Sequence, residues 1–186
     1  MLDQAYGRLR EGAFEEAIER FSECLRLEPA QPRAYAGRAM GHLQLKQWPL
    51  AAADFSKARE LDTGEADHWI GLATALAADH KIYDAIDVFE TFLAQRPQHV
   101  RAHLQLAQLY YRLGVIAKGH QQLDLAMASR PSLAERRSIE QLKQEQLTLD
   151  KRRYYRPDFE ALRRNNPPAF PWLRRIKGFF GPAPKD

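Results

Sequence analysis

An all-α fold is predicted: a stacked array of antiparallel helix hairpins closed by a C-terminal capping helix. Three observations predict it. The 186-residue chain lines up with itself at a spacing of 34 residues, so that Ala5, Ala39, Ala73 and Ala107 form one column and Phe14, Trp48, Ile82 and Ile116 another. Further columns are Ala17, Ala51, Ala85, Gly119 and Phe21, Phe55, Phe89, Leu123, followed by Cys24, Ala58, Phe92, Ala126. A fixed period of this length marks a repeat architecture whose units stack. Secondly, the apolar residues inside each unit recur at three- and four-residue steps, the spacing of one helix face. Thirdly, helix breakers fall at matching places, with Gly12 and Gly114 inside units and Pro29, Pro97 and Pro131 at their ends.

The first unit, residues 1–31, begins abruptly, so its first helix is expected to be short, with a turn at Gly12 and a second helix from Phe14. In the second unit, 32–65, Tyr35, Ala39, His42 and Leu43 share one face before a break at Lys46-Gln47. Trp48, Ala51, Ala52, Phe55, Ala58 and Leu61 then mark the inner face of a second helix, which Thr63-Gly64 ends without a proline. Trp69, Leu72, Ala73 and Leu76, then Ile82, Ala85, Ile86, Phe89 and Phe92, do the same for the third unit, 66–99. Leu106, Ala107 and Tyr110, then Ile116, Leu123 and Ala126, do so for the fourth, 100–131. Helices joined by such short breaks fold back as hairpins. Small residues let the helices approach and bulky ones fill the space beside them, so each hairpin needs its neighbours. Ser132 and Glu135 form a capping-box pattern that starts a helix over 132–153, with Leu133, Ile139, Leu142, Leu147 and Leu149 on one side. Residues 154–186 form a basic, aromatic, proline-containing tail with a short helix candidate at 158–164.

This pattern resembles the tetratricopeptide repeat (TPR), a 34-residue helix–turn–helix unit, over about residues 1–131. The resemblance rests on Tyr35, Ala39, His42, Trp48, Ala51, Phe55 and Ala58, and on Trp69, Leu72, Ala73, Leu76, Ile82, Ala85, Phe89 and Pro97. Phe92 is larger than the Ala usual there, and Gly119 stands where Ala is usual. The family implies a superhelix whose inner groove is lined by the first helix of each pair. Here that lining would include Leu2, Tyr6 and Leu9, then Arg33, Gly37, Met40, Leu43 and Gln44. Further along come Asp67, Ile70, Gly71 and Thr74, then Arg101, Leu104, Gln105, Gln108, Tyr111 and Arg112. Chaperone-binding members grip a terminal carboxylate at places held here by Leu2, Tyr6, Gly37, Asp67 and Gly71, which argues against a chaperone C-terminus as ligand. The implied function is protein–protein interaction as an adaptor, scaffold or assembly factor, with an apolar or helical peptide in the groove.

Charge is uneven: residues 1–130 carry 15 Lys or Arg against 17 Asp or Glu, and residues 131–186 carry 13 against 7. In the tail, Trp172, Leu173, Ile176, Phe179 and Phe180 recur at helical steps, with Arg174, Arg175 and Lys177 between them. Such a segment docks on protein, including the array itself, makes weak contact with an anionic membrane, or stays disordered as termini often do; a membrane-surface tether is the alternative function. Nucleic acid is disfavoured, because no recognised motif surrounds these residues. One cysteine, Cys24, forms no intrachain disulfide, and no signal peptide or membrane-spanning stretch is visible, so the cytoplasm is the expected compartment. No phosphate loop, dinucleotide fingerprint or nucleophile elbow appears, and no cofactor or enzymatic activity is expected. His99 and His103 have a zinc-compatible spacing, but their places in the repeat favour packing.

Overall fold

A computed structural model describes residues 1–153, with side chains to residue 149. Nine helices are found among the described residues: α1 (Leu2–Glu11), α2 (Phe14–Leu27), α3 (Pro32–Gln44), α4 (Trp48–Leu61), α5 (Ala66–Ala78), α6 (Ile82–Gln95), α7 (Val100–Arg112), α8 (Ile116–Ala128) and α9 (Leu133–Arg153). The chain divides into two compact units, Met1–Lys143 and Gln144–Asp186. The first holds α1–α8 and the start of α9. In the second, Leu147 and Leu149 of α9 are exposed. No helix among the described residues is long and apolar enough to cross a membrane.

Consecutive helices from α1 through α8 pack on one another, and the first helices of adjacent hairpins also meet, α1 with α3 and α3 with α5. The turn inside every hairpin is the same. Gly12, Lys46, His80 and Gly114, each 34 residues from the next, all hold left-handed backbone, with φ of 80°, 58°, 63° and 74°. That conformation lets the amides beyond each helix turn back to its last carbonyls, as Gln47 N–H does to His42 O at 2.9 Å.

The core is a series of linked clusters. Ala5, Ala17, Phe21, Cys24 and Leu25 of the first hairpin pack with Ala34 of α3. Ala36, Ala39, Ala51, Phe55 and Ala58 pack with Leu72 and Ala75 of α5. Trp69, Ala73, Ile86, Phe89 and Phe92 pack with Ala102, Leu106 and Tyr110 of α7. Val100, Ala107, Leu123 and Ala126 pack with Ile139 of α9. Every cluster therefore ties one hairpin to the following element. The oversized Phe92 is fully accommodated: it packs against the rings of Trp69 and His99 at 5.7 and 5.1 Å, with the Arg96 guanidinium over its face.

The start of α9 matches its pattern. Glu135 N–H donates to Ser132 Oγ at 3.3 Å, while Glu135 Oε2 accepts from Ser132 N–H at 2.8 Å. Of the five apolar residues expected on one side, Ile139 is buried and Leu142 half-buried, whereas Leu133, Leu147 and Leu149 are exposed. Leu133 is the first residue of the helix, six residues before Ile139.

Candidate functional site

The groove residues come from the exposed face of α1, α3, α5 and α7, and the structure treats them in three different ways. Between α1 and α3 lies an open cleft of about 570 Å³, lined by Asp3, Tyr6, Leu9, Arg10, Phe14, Arg33, Met40 and Gln44. It brings together five residues named from sequence, Tyr6, Leu9, Arg33, Met40 and Gln44. One wall of the cleft is fixed by hydrogen bonding and packing. The Tyr6 hydroxyl donates to Arg33 O at 2.8 Å, and its ring meets Phe21 edge-on with centroids 5.0 Å apart. Burial raises the Tyr6 phenol pKa, so the hydroxyl stays protonated and keeps donating. Arg10, Arg33 and Asp3 have no ion-pair partner among the described residues, and Met40 is exposed in the same lining.

Further along, the face closes on itself. Arg101 Nη1 pairs with Asp67 Oδ1 at 3.1 Å, joining α7 to α5. Thr74 Oγ1 donates to Ile70 O at 2.7 Å and lies 3.5 Å from the Gln105 side-chain amide. Ile70 itself is a correction to the sequence reading. It is 3% exposed and belongs to the Trp69–Phe89 cluster, because its position on α5 turns it toward α6 and α7.

Leu43 is half-buried against Ala39 and Phe55, and Leu104 against the Leu123 cluster. Tyr111 is half-buried too: its ring fills the space a side chain at Gly119 would need, and its hydroxyl lies 3.0 Å from His120 Nδ1. Gln108 and Arg112 remain exposed at the α7 edge.

Gly37 and Gly71, expected as lining, have a packing duty instead. A β-carbon at Gly37 would fall 2.3 Å from the Phe21 ring, and one at Gly71 2.4 Å from Phe55. Each glycine is the notch that receives the bulky residue of the preceding hairpin. Asp3, Arg10 and Phe14 were missed in the sequence. The repeat register carried a signal for two of them, since Asp3 and Arg10 stand 34 residues before Gly37 and Gln44. The seven tail residues, Trp172, Leu173, Arg174, Arg175, Ile176, Phe179 and Phe180, lie outside the described residues.

His99 and His103 are both engaged in packing. His99 Nδ1 accepts from Ala102 N–H at 3.2 Å, and burial lowers its pKa, which keeps the ring neutral for that role. His103 lies 2.9 Å from Pro97 O through Nε2, as Trp69 Nε1, one repeat earlier, donates to Thr63 O at 3.1 Å. Among the described residues no group of three or more His, Cys, Asp or Glu is placed to hold a metal ion.

A family profile described as "Tetratricopeptide repeat" matches residues 2–66 and 70–131. The chain belongs to the tetratricopeptide repeat family. A curated relative, sperm-associated antigen 1 of Mus musculus, is 30% identical over 98 residues, which is 53% of this chain and 11% of that protein. Among solved structures, a crystal structure of MamA shares the fold with a TM-score of 0.64 at 18% identity, covering 79% of this TPR chain and 86% of MamA. The second TPR domain of human RPAP3, solved in complex with an HSP70 peptide, aligns with a TM-score of 0.55 at 28% identity, covering 57% of this chain and 89% of that domain.

Proposed function

We propose that this TPR chain is a protein–protein interaction module, an adaptor, scaffold or assembly factor, that receives an apolar or helical peptide segment on the face of its first helices. The observation that carries this reading is the open cleft between α1 and α3, where Met40, Arg33 and Gln44 present apolar and polar groups together. A concave site with an apolar floor and a few convergent polar groups is what peptide recognition needs. The solved RPAP3 domain with its bound HSP70 peptide supports peptide binding by an array of this kind. A chaperone C-terminus does not fit the same places here. Leu2, Tyr6, Gly37, Asp67 and Gly71 provide no basic clamp. Moving one repeat along gives Ala36, Met40, Gly71, Arg101 and Gln105, in which Arg101 is the sole cation and is already paired with Asp67.

A photoreactive phenylalanine analogue placed at Met40 tests the reading, with the same analogue at Leu50, exposed on α4, as the comparison. In native lysate, partner adducts should form from Met40 and not from Leu50; equal labelling from both positions refutes the groove. The alternative, a membrane-surface tether, rests on residues 172–180. Equal pelleting with anionic vesicles by the full chain and by a chain ending at Asp150 removes it.

A further inference from the structure

We infer that the α1–α3 cleft takes an internal segment of a partner protein in which an apolar side chain is flanked by carboxylates. This rests on the proposed groove and narrows it in place and in chemistry. The place follows from what the rest of the face does with its polar groups. Between α5 and α7, Arg101 and Asp67 satisfy each other at 3.1 Å, and Leu104 and Tyr111 are spent on packing. An open volume lies between α1 and α3.

The chemistry follows from its lining. Leu9, Phe14 and Met40 offer an apolar floor, with Met40 46% exposed and its unbranched thioether able to adapt to different shapes. Around that floor stand two guanidinium groups, Arg10 and Arg33, against one carboxylate, Asp3. Arg33 and Asp3 stand at one end, and Arg10 with Gln44 at the other, because α1 and α3 are equivalent helices running the same way. The step from Asp3 to Arg10 is about 10 Å along α1, roughly three residues of an extended ligand. An apolar residue seated over Met40 therefore places its acidic neighbour opposite Arg10, which, like Arg33, has no ion-pair partner among the described residues. Charge also argues against the chain's own C-terminal segment as occupant, since residues 151–186 carry 10 Lys or Arg against 3 Asp or Glu. An internal segment is favoured over a chain terminus because the positions that would grip a terminal carboxylate hold no basic clamp.

The test uses the full chain and three synthetic probes followed by fluorescence anisotropy. The first is an acetylated, amidated peptide with central Leu and Phe between glutamates. The second has lysines for the glutamates. The third has glutamines and a free terminal carboxylate. The first should bind and the others should not. Arg10→Glu should weaken it by about tenfold or more, and added salt should weaken it as well. Arg20→Glu, exposed on α2 away from the cleft, should leave it unchanged, with circular dichroism confirming that these variants and Arg112→Glu, at the far end of the groove, fold. Tighter binding of the lysine or free-carboxylate probe, no effect of Arg10→Glu, or no binding of any probe overturns the inference. If Arg112→Glu abolishes binding and Arg10→Glu does not, the groove stands and only its assignment to this cleft and charge falls. If adducts from the Met40 position are also absent, both fall.

Discussion

At the four hairpin turns the same left-handed backbone is held by two glycines and two larger residues. Gly12 and Gly114 adopt it without steric cost, whereas Lys46 and His80 at φ of 58° and 63° do not. A β-carbon in that region costs about 1–2 kcal/mol, and glycine gives back about 0.5–1 kcal/mol through its greater freedom when unfolded. Lys46→Gly and His80→Gly should therefore each stabilise by a net of up to about 1.5 kcal/mol, read as a higher urea midpoint. Gly12→Ala and Gly114→Ala should lower it. Equal and opposite logic governs the helical glycines. Gly37→Ala forces a methyl to within 2.3 Å of the Phe21 ring and should cost about 1–3 kcal/mol. Gly7→Ala meets nothing within 4 Å and should stabilise by about 0.5–1 kcal/mol. Thermal melts of the two alanine variants side by side check the pair, and similar melting temperatures would contradict the notch.

Between elements, one polar exchange stands out. Arg38 of α3 reaches Asp54 of α4 with two hydrogen bonds, Nε to Oδ2 at 2.8 Å and Nη2 to Oδ1 at 2.7 Å, and Ser22 of α2 with a third at 3.2 Å. The hydrogen bonds that Arg38 donates to the Asp54 carboxylate raise the Arg38 pKa, as a well-formed ion pair requires. One repeat later the same two places hold Leu72 and Val88, an apolar pair in the same role. Arg38→Leu leaves the buried Asp54 carboxylate with His42 at 3.8 Å as its nearest basic partner, and Asp54→Val leaves Arg38 with Ser22, so either alone should cost about 1–3 kcal/mol. The double variant should return to within about 1 kcal/mol of the native chain, because hydrophobic isosteres commonly replace such a pair at no loss. A double-mutant cycle in urea with no coupling would contradict this. The Glu135 carboxyl, held below its ordinary pKa by the Ser132 hydroxyl and amide, carries a pH signature. Its folded value is depressed, so its contribution is present above the unfolded glutamate pKa and is lost as pH falls through the folded one. Glu135→Gln should therefore flatten the acid limb of α9 stability followed by amide exchange. The helices and hairpins were legible in the columns of small and bulky residues, because each column repeats four times. The Arg38–Asp54 exchange was not, since two polar residues in apolar columns read singly as exceptions, and only their pairing across α3 and α4 explains them. The strained turns at Lys46 and His80 were equally hidden, for backbone angle leaves no mark when the residue is not glycine.

Over the whole array, sequence register picks out one face of the first helices and cannot tell which of its residues lie open. Arg33, Met40 and Gln44 line the cleft, while Ile70 lies in the core and Tyr111 fills the notch at Gly119. The difference is set by how far each hairpin turns against the next, which a period of residues does not encode. The same chain of clusters governs how a perturbation spreads. Each cluster joins a hairpin to the following element and no cluster spans the array, so stability should behave as a sum of nearest-neighbour terms. Ile139 is fully buried against Leu123, Ala126 and Ala107, and Ile139→Ala should cost about 2–5 kcal/mol at that site. Hydrogen exchange read by mass spectrometry should show α7 and α8 losing protection while α1 and α2 keep theirs. The cleft between α1 and α3 should accordingly bind its ligand with unchanged affinity in this variant. A uniform loss of protection from α1 to α8 would mean that the clusters melt as one body, and that binding at the first two hairpins feels the last.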